Sequence, residues 1–313
     1  MAKLSKPRAG SLQIWPRKRA EKFLPSVNWA QIKGEGILGI IAYKVGMATA
    51  LVKDNTEHSM TKGKKMVIPV TVLEVPPLKI FSIRFYRQGR VLKEFVVTQD
   101  AELKRKLRVP KQLPSLAPPA DYDDVQVLAY SLVKKTGIKK TPDLAELAMG
   151  ATTPTAKFEF AKALISKELM PEDIVKATLV DVRGLTKGKG FEGSVPRFGI
   201  SLRQHKSEKG VRRPGSLGPW HPAHVTFRTP QAGQLGMFSR VHYNLKVVSM
   251  GNIAEKDINP SSGFKHYGLV RTSYVLVKGS VQGPPKRQLL LTPALRPTRG
   301  QLRKKYEFLE LLA

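Results

Sequence analysis

The sequence predicts a mainly β body that carries a small α/β insert and is extended by long basic segments. Three observations lead there. Short runs of β-branched and aromatic residues alternate with Gly and Pro, the texture of strands and turns. A central stretch changes to helical spacing. The strand texture then breaks off across 183–243 before it returns. With 313 residues, one large or two small domains are expected at roughly 150 residues each. Hydrophobic residues make up 41% of the chain, enough to build a core.

Residues 1–33 read as a basic N-terminal arm. The first 28 contain three prolines and too little apolar surface to bury alone. Body strands are expected within 34–93, at 37–43, 50–52, 66–75 and 79–86, split by Lys44-Val45-Gly46 and Pro76-Pro77. The insert, 94–173, has helical spacing over 102–108 and 155–168, the latter with Phe158, Ala161, Leu164 and Ile165 on one face. Within it 125–132 reads as a strand and 143–149 as a short helix ended by Gly150. Body strands resume in 174–182 and 244–292, at 174–182, 244–250, 266–277 and 289–292. Residues 293–313 read as a basic, helical C-terminal tail.

Charge separates these parts. The chain holds 54 Lys+Arg against 24 Asp+Glu, a formal net charge of +30 with a pI near 10.3. Self-repulsion on that scale implies a polyanionic partner. Residues 94–182 contain 13 basic and 13 acidic residues, so the whole excess lies outside them. The arm carries eight basic residues against Glu21 alone, and 183–250 carries 12 against Glu192 and Glu208. Separated cationic regions with so few carboxylates point to nucleic acid. Cys is absent, which excludes disulfides, thiolate zinc sites and thiol catalysis. No run of 18 uncharged apolar residues occurs and the basic N-terminus lacks a leader pattern. A soluble, cytoplasmic protein is expected.

The long basic excursion, 183–243, opens with Arg183-Gly184-Leu185-Thr186-Lys187-Gly188-Lys189-Gly190-Phe191. Its glycines allow close backbone approach and its lysines supply cations. The Walker A spacing fails, because Lys189 stands where a second Gly is needed. Gly34-Glu35-Gly36-Ile37-Leu38-Gly39 does match a dinucleotide fingerprint, but the following residues are strand-like, so a turn entering a strand is the better reading. In the centre, Arg203, His205, Lys206, Lys209, Arg212 and Arg213 precede Gly218-Pro219-Trp220-His221-Pro222-Ala223-His224. The cations can neutralise phosphates. Trp220 offers a face for an unpaired base, worth about 1–3 kcal/mol. RNA exposes such bases in loops and bulges. His221 and His224 are spaced i, i+3, yet Pro222 disfavours a helix and neighbouring metal-ligating acids are missing, so hydrogen bonding to RNA is expected in place of a metal. Arg228, Gln231, Gln234 and Arg240 continue the carboxylate-free pattern. A base oriented by a carboxylate is lacking, so no catalytic residue, metal or cofactor is expected.

Several stretches resemble the universal large-subunit ribosomal protein L-three family in its archaeal–eukaryotic form. They are Arg8-Ala9-Gly10-Ser11-Leu12, Pro16-Arg17-Lys18-Arg19-Ala20, Tyr43-Lys44-Val45-Gly46-Met47 and Thr186-Lys187-Gly188-Lys189-Gly190-Phe191. The Trp220 segment, His266-Tyr267-Gly268, Lys278-Gly279-Ser280-Val281 and Gly283-Pro284-Pro285-Lys286-Arg287 follow in order. The resemblance implies a six-stranded translation-type β-barrel with an inserted α/β subdomain. It further implies that the arm and the excursion penetrate ribosomal RNA near its 3′ region and the sarcin–ricin loop. Trp220 would form the loop tip towards the peptidyl-transferase centre, and the protein would act early in subunit assembly. Expected RNA contacts are Arg8, Arg17, Lys18 and Arg19 in the arm, the loop residues named above, and Lys286 and Arg287. Expected protein neighbours are the L-fourteen and eukaryotic-type L-twenty-four families. An RNA-modifying enzyme with a basic substrate-holding surface is the alternative; it would need a nucleophile or a carboxylate–His pair. A DNA-compacting protein also fits the charge but would favour repeated Lys/Ala blocks, which are absent.

Overall fold

The computed structural model describes residues 14–204, 206 and 209–312. The chain divides into two compact units. One contains Leu185–Ser239 with the described residues up to Lys22; the other contains Phe23–Gly184 and the described residues from Arg240 onward.

The larger unit is mostly β. β1 (Ile40–Asp54) and β2 (Lys65–Val75) form a long antiparallel pair with Thr49 opposite Pro69. Asp54 fastens the connection between them. Its carboxylate accepts from the Thr56 amide at 2.9 Å, Ser59 Oγ at 2.9 Å and Thr61 Oγ1 at 2.5 Å. These donors, Thr56 and Thr61 foremost, hold the Asp54 carboxyl well below the ordinary aspartate range. β1 and β2 belong to a seven-stranded sheet with β7 (Leu179–Leu185), β10 (Ser239–Asn252), β11 (Ser273–Lys278), β12 (Gln288–Pro293) and β13 (Tyr306–Leu312). The order is β12-β7-β10-β11-β2-β1-β13, and β12 also pairs with β1.

Period-two alternation explains the burial of this sheet. In β2, Ile68, Val70 and Val72 join one apolar cluster, while Leu73 and Val75 join another. β11 does the same with Tyr274 and Leu276 against Val275 and Val277. A strand covered on both faces must be largely apolar, and every β2 residue from Val70 to Val75 is buried. The charged exception is Glu74, which is fully buried. It accepts from the Tyr267 hydroxyl, the Arg271 amide at 2.8 Å, the Thr272 amide at 3.0 Å and Thr272 Oγ1 at 3.0 Å. Burial, and then the Glu74 charge, push the Tyr267 phenol far above its usual value.

β3 (Leu78–Arg87) and β4 (Arg90–Val96) pair with β5 (Asp124–Ser131) and β6 (Leu144–Ala148) in a four-stranded sheet ordered β4-β3-β5-β6. Ile83, Phe85, Val125, Val127 and Leu147 of this sheet share one cluster with Leu73, Val75, Val275 and Leu289 of the larger sheet. Both sheets therefore rest on a single core. α1 (Pro154–Ala163) is capped by Thr153, whose Oγ1 accepts from the Ala156 amide at 3.3 Å, and has Pro at its first position. α2 (Pro171–Ile174) is a single turn before β7.

Five local expectations are corrected. Residues 143–149 are a strand, not a helix: Leu144-Ala145-Glu146-Leu147-Ala148 are helix formers, but pairing with β5 buries Ala145 and Leu147 on one side and overrides propensity. The tail is helical only over α4 (Arg299–Leu302) and ends in β13. The strand expected over 174–182 begins at Leu179, and that expected over 266–277 begins at Ser273. Trp29 and Ile32, read as arm, lie buried in the core, Trp29 beside Gly39.

The Gly34–Gly39 fingerprint serves packing. The Gly150 amide donates to Gly36 O at 2.8 Å, and a Cβ on Gly150 would lie 1.9 Å from Gly34 O. Ile37 bridges to Met149 just before β1 begins, as a turn entering a strand requires. Among the described residues, no helix is long and apolar enough to cross a membrane.

Candidate nucleic-acid interface

The smaller unit is built from the excursion itself. β8 (Gly190–Glu192) pairs antiparallel with β9 (Gly233–Leu235), Phe191 opposite Gln234. The Lys189 amide donates to Leu235 O at 3.0 Å and the Thr186 amide to Phe238 O at 3.0 Å, so the outgoing and returning strands are zipped at their base. α3 (Ser194–Phe198) follows β8, stops at Gly199 in the left-handed region, and buries Phe198. The excursion therefore has local structure that its sequence texture does not announce.

Arg197 ties this base together. Its Nε donates to Gln234 O at 3.0 Å and Nη1 to Gln231 O at 2.9 Å. A fixed guanidinium fork suits two carbonyls on one turn. Burial lowers the Arg197 pKa from its ordinary value. Arg17 comes to the same place: Nη1 donates to Arg197 O, and Cζ lies 4.2 Å over the Phe198 ring. The Trp15 ring centroid is 6.3 Å from that of Phe198, and the Ala20 amide donates to Met237 O at 3.0 Å. Residues 15–20 are thus docked on the excursion base, which leaves Lys18 and Arg19 exposed.

The remaining candidates spread outward. Lys187, Gly188, Lys189, Gly190 and Phe191 are exposed along the outgoing strand. Arg203 is half-buried and used internally, its amide donating to Val211 O at 3.1 Å and Nη2 to Pro214 O at 2.9 Å. Lys206, Lys209, Arg212 and Arg213 are exposed, as are His221, His224 and Arg228. Gln231 is exposed and Gln234 half-buried, its Nε2 donating to Gly236 O at 3.0 Å. Arg8 and His205 lie outside the described residues. Arg240, Lys286 and Arg287 belong to the larger unit. There Arg240 O accepts from Gln282 Nε2 at 3.1 Å, Lys286 is exposed, and Arg287 Cζ lies 5.3 Å from the Phe23 ring centroid. Burial lowers the pKa of both Arg240 and Arg287.

Three aromatic side chains of the smaller unit stand in the open: Trp220 at 84% exposure, Phe227 at 88% and Phe191 at 80%. Large apolar side chains so exposed, amid cations and few acids, mark a contact surface. Phe227 is absent from the sequence-based candidates because Val225-Thr226-Phe227-Arg228 alternates like a buried-face strand. Arg197 is absent because its role depends on the Gln231 and Gln234 carbonyls, more than thirty residues away along the chain. The charge pattern of the 79–168 region differs. Arg84 pairs with Glu94 at 2.9 Å and Glu146 at 3.3 Å, Lys135 with Glu168 at 2.6 Å, and Lys157 with Asp124 at 2.5 Å. Several cations there are matched locally; cations of the excursion have few carboxylates to meet.

The family model described as ribosomal protein L3 matches residues 1–111 and 92–311. The chain belongs to the ribosomal protein L3 family. Among its relatives are large ribosomal subunit proteins uL3 from three archaea. That of Methanothermobacter thermautotrophicus is 39% identical, with 95% of this chain and 94% of the relative covered. That of Methanobrevibacter smithii is also 39% identical, over 95% and 94%. The Methanocaldococcus jannaschii protein is 37% identical, over 94% and 92%. The L3 match spans the arm, both sheets and the excursion alike.

Proposed function

We propose that the protein is a structural constituent of the large ribosomal subunit, binds large-subunit ribosomal RNA in the cytoplasm, and carries out no catalysis. The observation that carries this reading is the smaller unit. Within a family of ribosomal proteins, it presents exposed cations and aromatics on a braced base with few carboxylates. Cations neutralise closely spaced phosphates and release counterions, while the folded body fixes where the chain enters.

The finer reading has several parts. The pairings run from β1 through β2, β11, β10, β7 and β12 back to β1, which supports a closed six-stranded barrel of the translation-protein type. The arm, 1–33, the insert, 94–173, the excursion, 183–243, and the tail, 293–313, are appendages of that barrel. The arm and excursion enter RNA near its 3′ region, with Trp220 directed towards the peptidyl-transferase centre, and the protein joins the subunit early in assembly. Of the candidate cations, Lys18, Arg19, Lys187, Lys189, Lys206, Lys209, Arg212 and Arg213 are the direct phosphate contacts, because they are exposed. Arg17 and Arg203 act by holding the backbone. The L-fourteen and eukaryotic-type L-twenty-four families are the proposed protein neighbours.

Binding of the purified chain to large-subunit RNA, with small-subunit RNA and duplex DNA as competitors, tests the reading. Preferential binding to large-subunit RNA and retention on the large subunit through a moderate salt wash are expected. Equal affinity for all three nucleic acids would reject it.

A further inference from the structure

β13 is the edge of the seven-stranded sheet and pairs with β1, Leu51 opposite Glu310 and Lys53 opposite Glu307. A groove of about 400 Å³ runs between this strand and the loop before β11, walled by residues 256–261 and 308–311. Within it the Lys256 ammonium donates to Leu309 O at 3.2 Å and lies 4.3 Å over the Phe308 ring. Leu309 has no partner in β1, because the pairing shifts register between Glu310 and Phe308, and its carbonyl is left to the ammonium on the groove side of this edge strand.

The groove is richer in acids than the rest of the molecule. Across 252–261 and 306–312 the carboxylates are Glu255, Asp257, Glu307 and Glu310, all exposed, against Lys256, with Lys53 opposite Glu307 and Lys304-Lys305 before β13 bounding this acidic patch. On a chain of net charge +30 such a face repels RNA and attracts cations. Main-chain groups on the edge supply affinity for an extended backbone, and the flanking acids select its side chains.

We propose that this groove docks an extended, lysine- or arginine-rich polypeptide segment of another protein, which adds to β13 as a further strand. Lys256 occupies the acceptor in the uncomplexed chain and yields it to the incoming backbone. The partner is a protein and not RNA, so the proposal stands apart from the RNA-binding reading of the excursion and can fail independently of it.

The test uses the full chain and a fluorescein-labelled alternating Lys-Val octapeptide, with a Glu-Val octapeptide as counterpart. The Lys-Val peptide is expected to bind, with new amide protection by hydrogen exchange confined to 306–312. The double variant Asp257→Lys, Glu310→Lys should weaken binding about tenfold with its thermal midpoint unchanged. Asp257→Asn with Glu310→Gln, which removes charge without reversing it, should weaken it less. Failure of the Lys-Val peptide to bind, equal binding of the Glu-Val peptide, protection elsewhere, or parental affinity in the neutral variant would each overturn the proposal.

Discussion

Gly236 passes so close to Lys187 that a Cβ at residue 236 would lie 1.9 Å from the Lys187 carbonyl oxygen. Its φ of +79° is also one that L-residues rarely adopt. Gly236→Ala should therefore open the base of the excursion, since left-handed strain alone costs about 1–3 kcal/mol and the contact adds to it. Faster hydrogen exchange of the Thr186 and Lys189 amides, with the β1–β2 amides unchanged, is the expected readout.

Trp220 and Phe227 have little packing to lose. Trp220→Ala and Phe227→Ala should each leave the thermal midpoint within a degree or so of the parent, as surface changes do. Affinity for large-subunit RNA should fall by about 1–3 kcal/mol per lost stacking contact. A drop in melting temperature without a loss of binding would place these rings in a core.

Lys187 and Lys189 are assigned to phosphate. The Lys187→Gln, Lys189→Gln variant should lower the slope of log affinity against log salt by about 0.7–0.9 for each cation removed. Lys134→Gln, which removes a cation 3.7 Å from Glu102, should leave that slope unchanged. Titration of binding against potassium chloride measures both.

Asp54 makes stability depend on pH. Its folded pKa is depressed, so its contribution is present above the unfolded value of about 3.9 and is lost as pH falls through the folded pKa. Asp54→Asn should be less stable than the parent at pH 7, and the gap should close as the solution is taken below pH 4. Urea midpoints at several pH values report this; a gap that widens in acid would contradict it.

Glu74 serves four donors at once, so its loss should cost more than the loss of any one of them. Tyr267→Phe is expected to destabilise by about 1–2 kcal/mol and Glu74→Ala by about 2–4 kcal/mol, because the Arg271 and Thr272 groups then lose their acceptor. Chemical denaturation of the two variants separates these outcomes.

The sheet strands were legible where side chains alone decide them. β2, β3, β5 and β12 lie within a residue or two of their β-branched and aromatic runs, whose side chains pack into the buried clusters. β6 was hidden, since Leu, Ala and Glu favour a helix until the neighbouring β5 supplies backbone partners. β13 was hidden by the cations that precede it. In the arm and the excursion, charge and glycine spacing marked a candidate surface, but could not divide cations that hold carbonyls, such as Arg17, Arg197 and Arg203, from those that are exposed. That division depends on which backbone segments converge, which only the folded chain decides.

The single core beneath the two sheets bears on how this chain can be shortened. Cutting out the four-stranded sheet would remove Ile83, Phe85, Val125, Val127 and Leu147 from the cluster that also holds Leu73, Val75, Val275 and Leu289, and leave part of it wet. A minimal version would have to repaint those positions with polar residues, or supply a substitute layer, before it could be made without clumping.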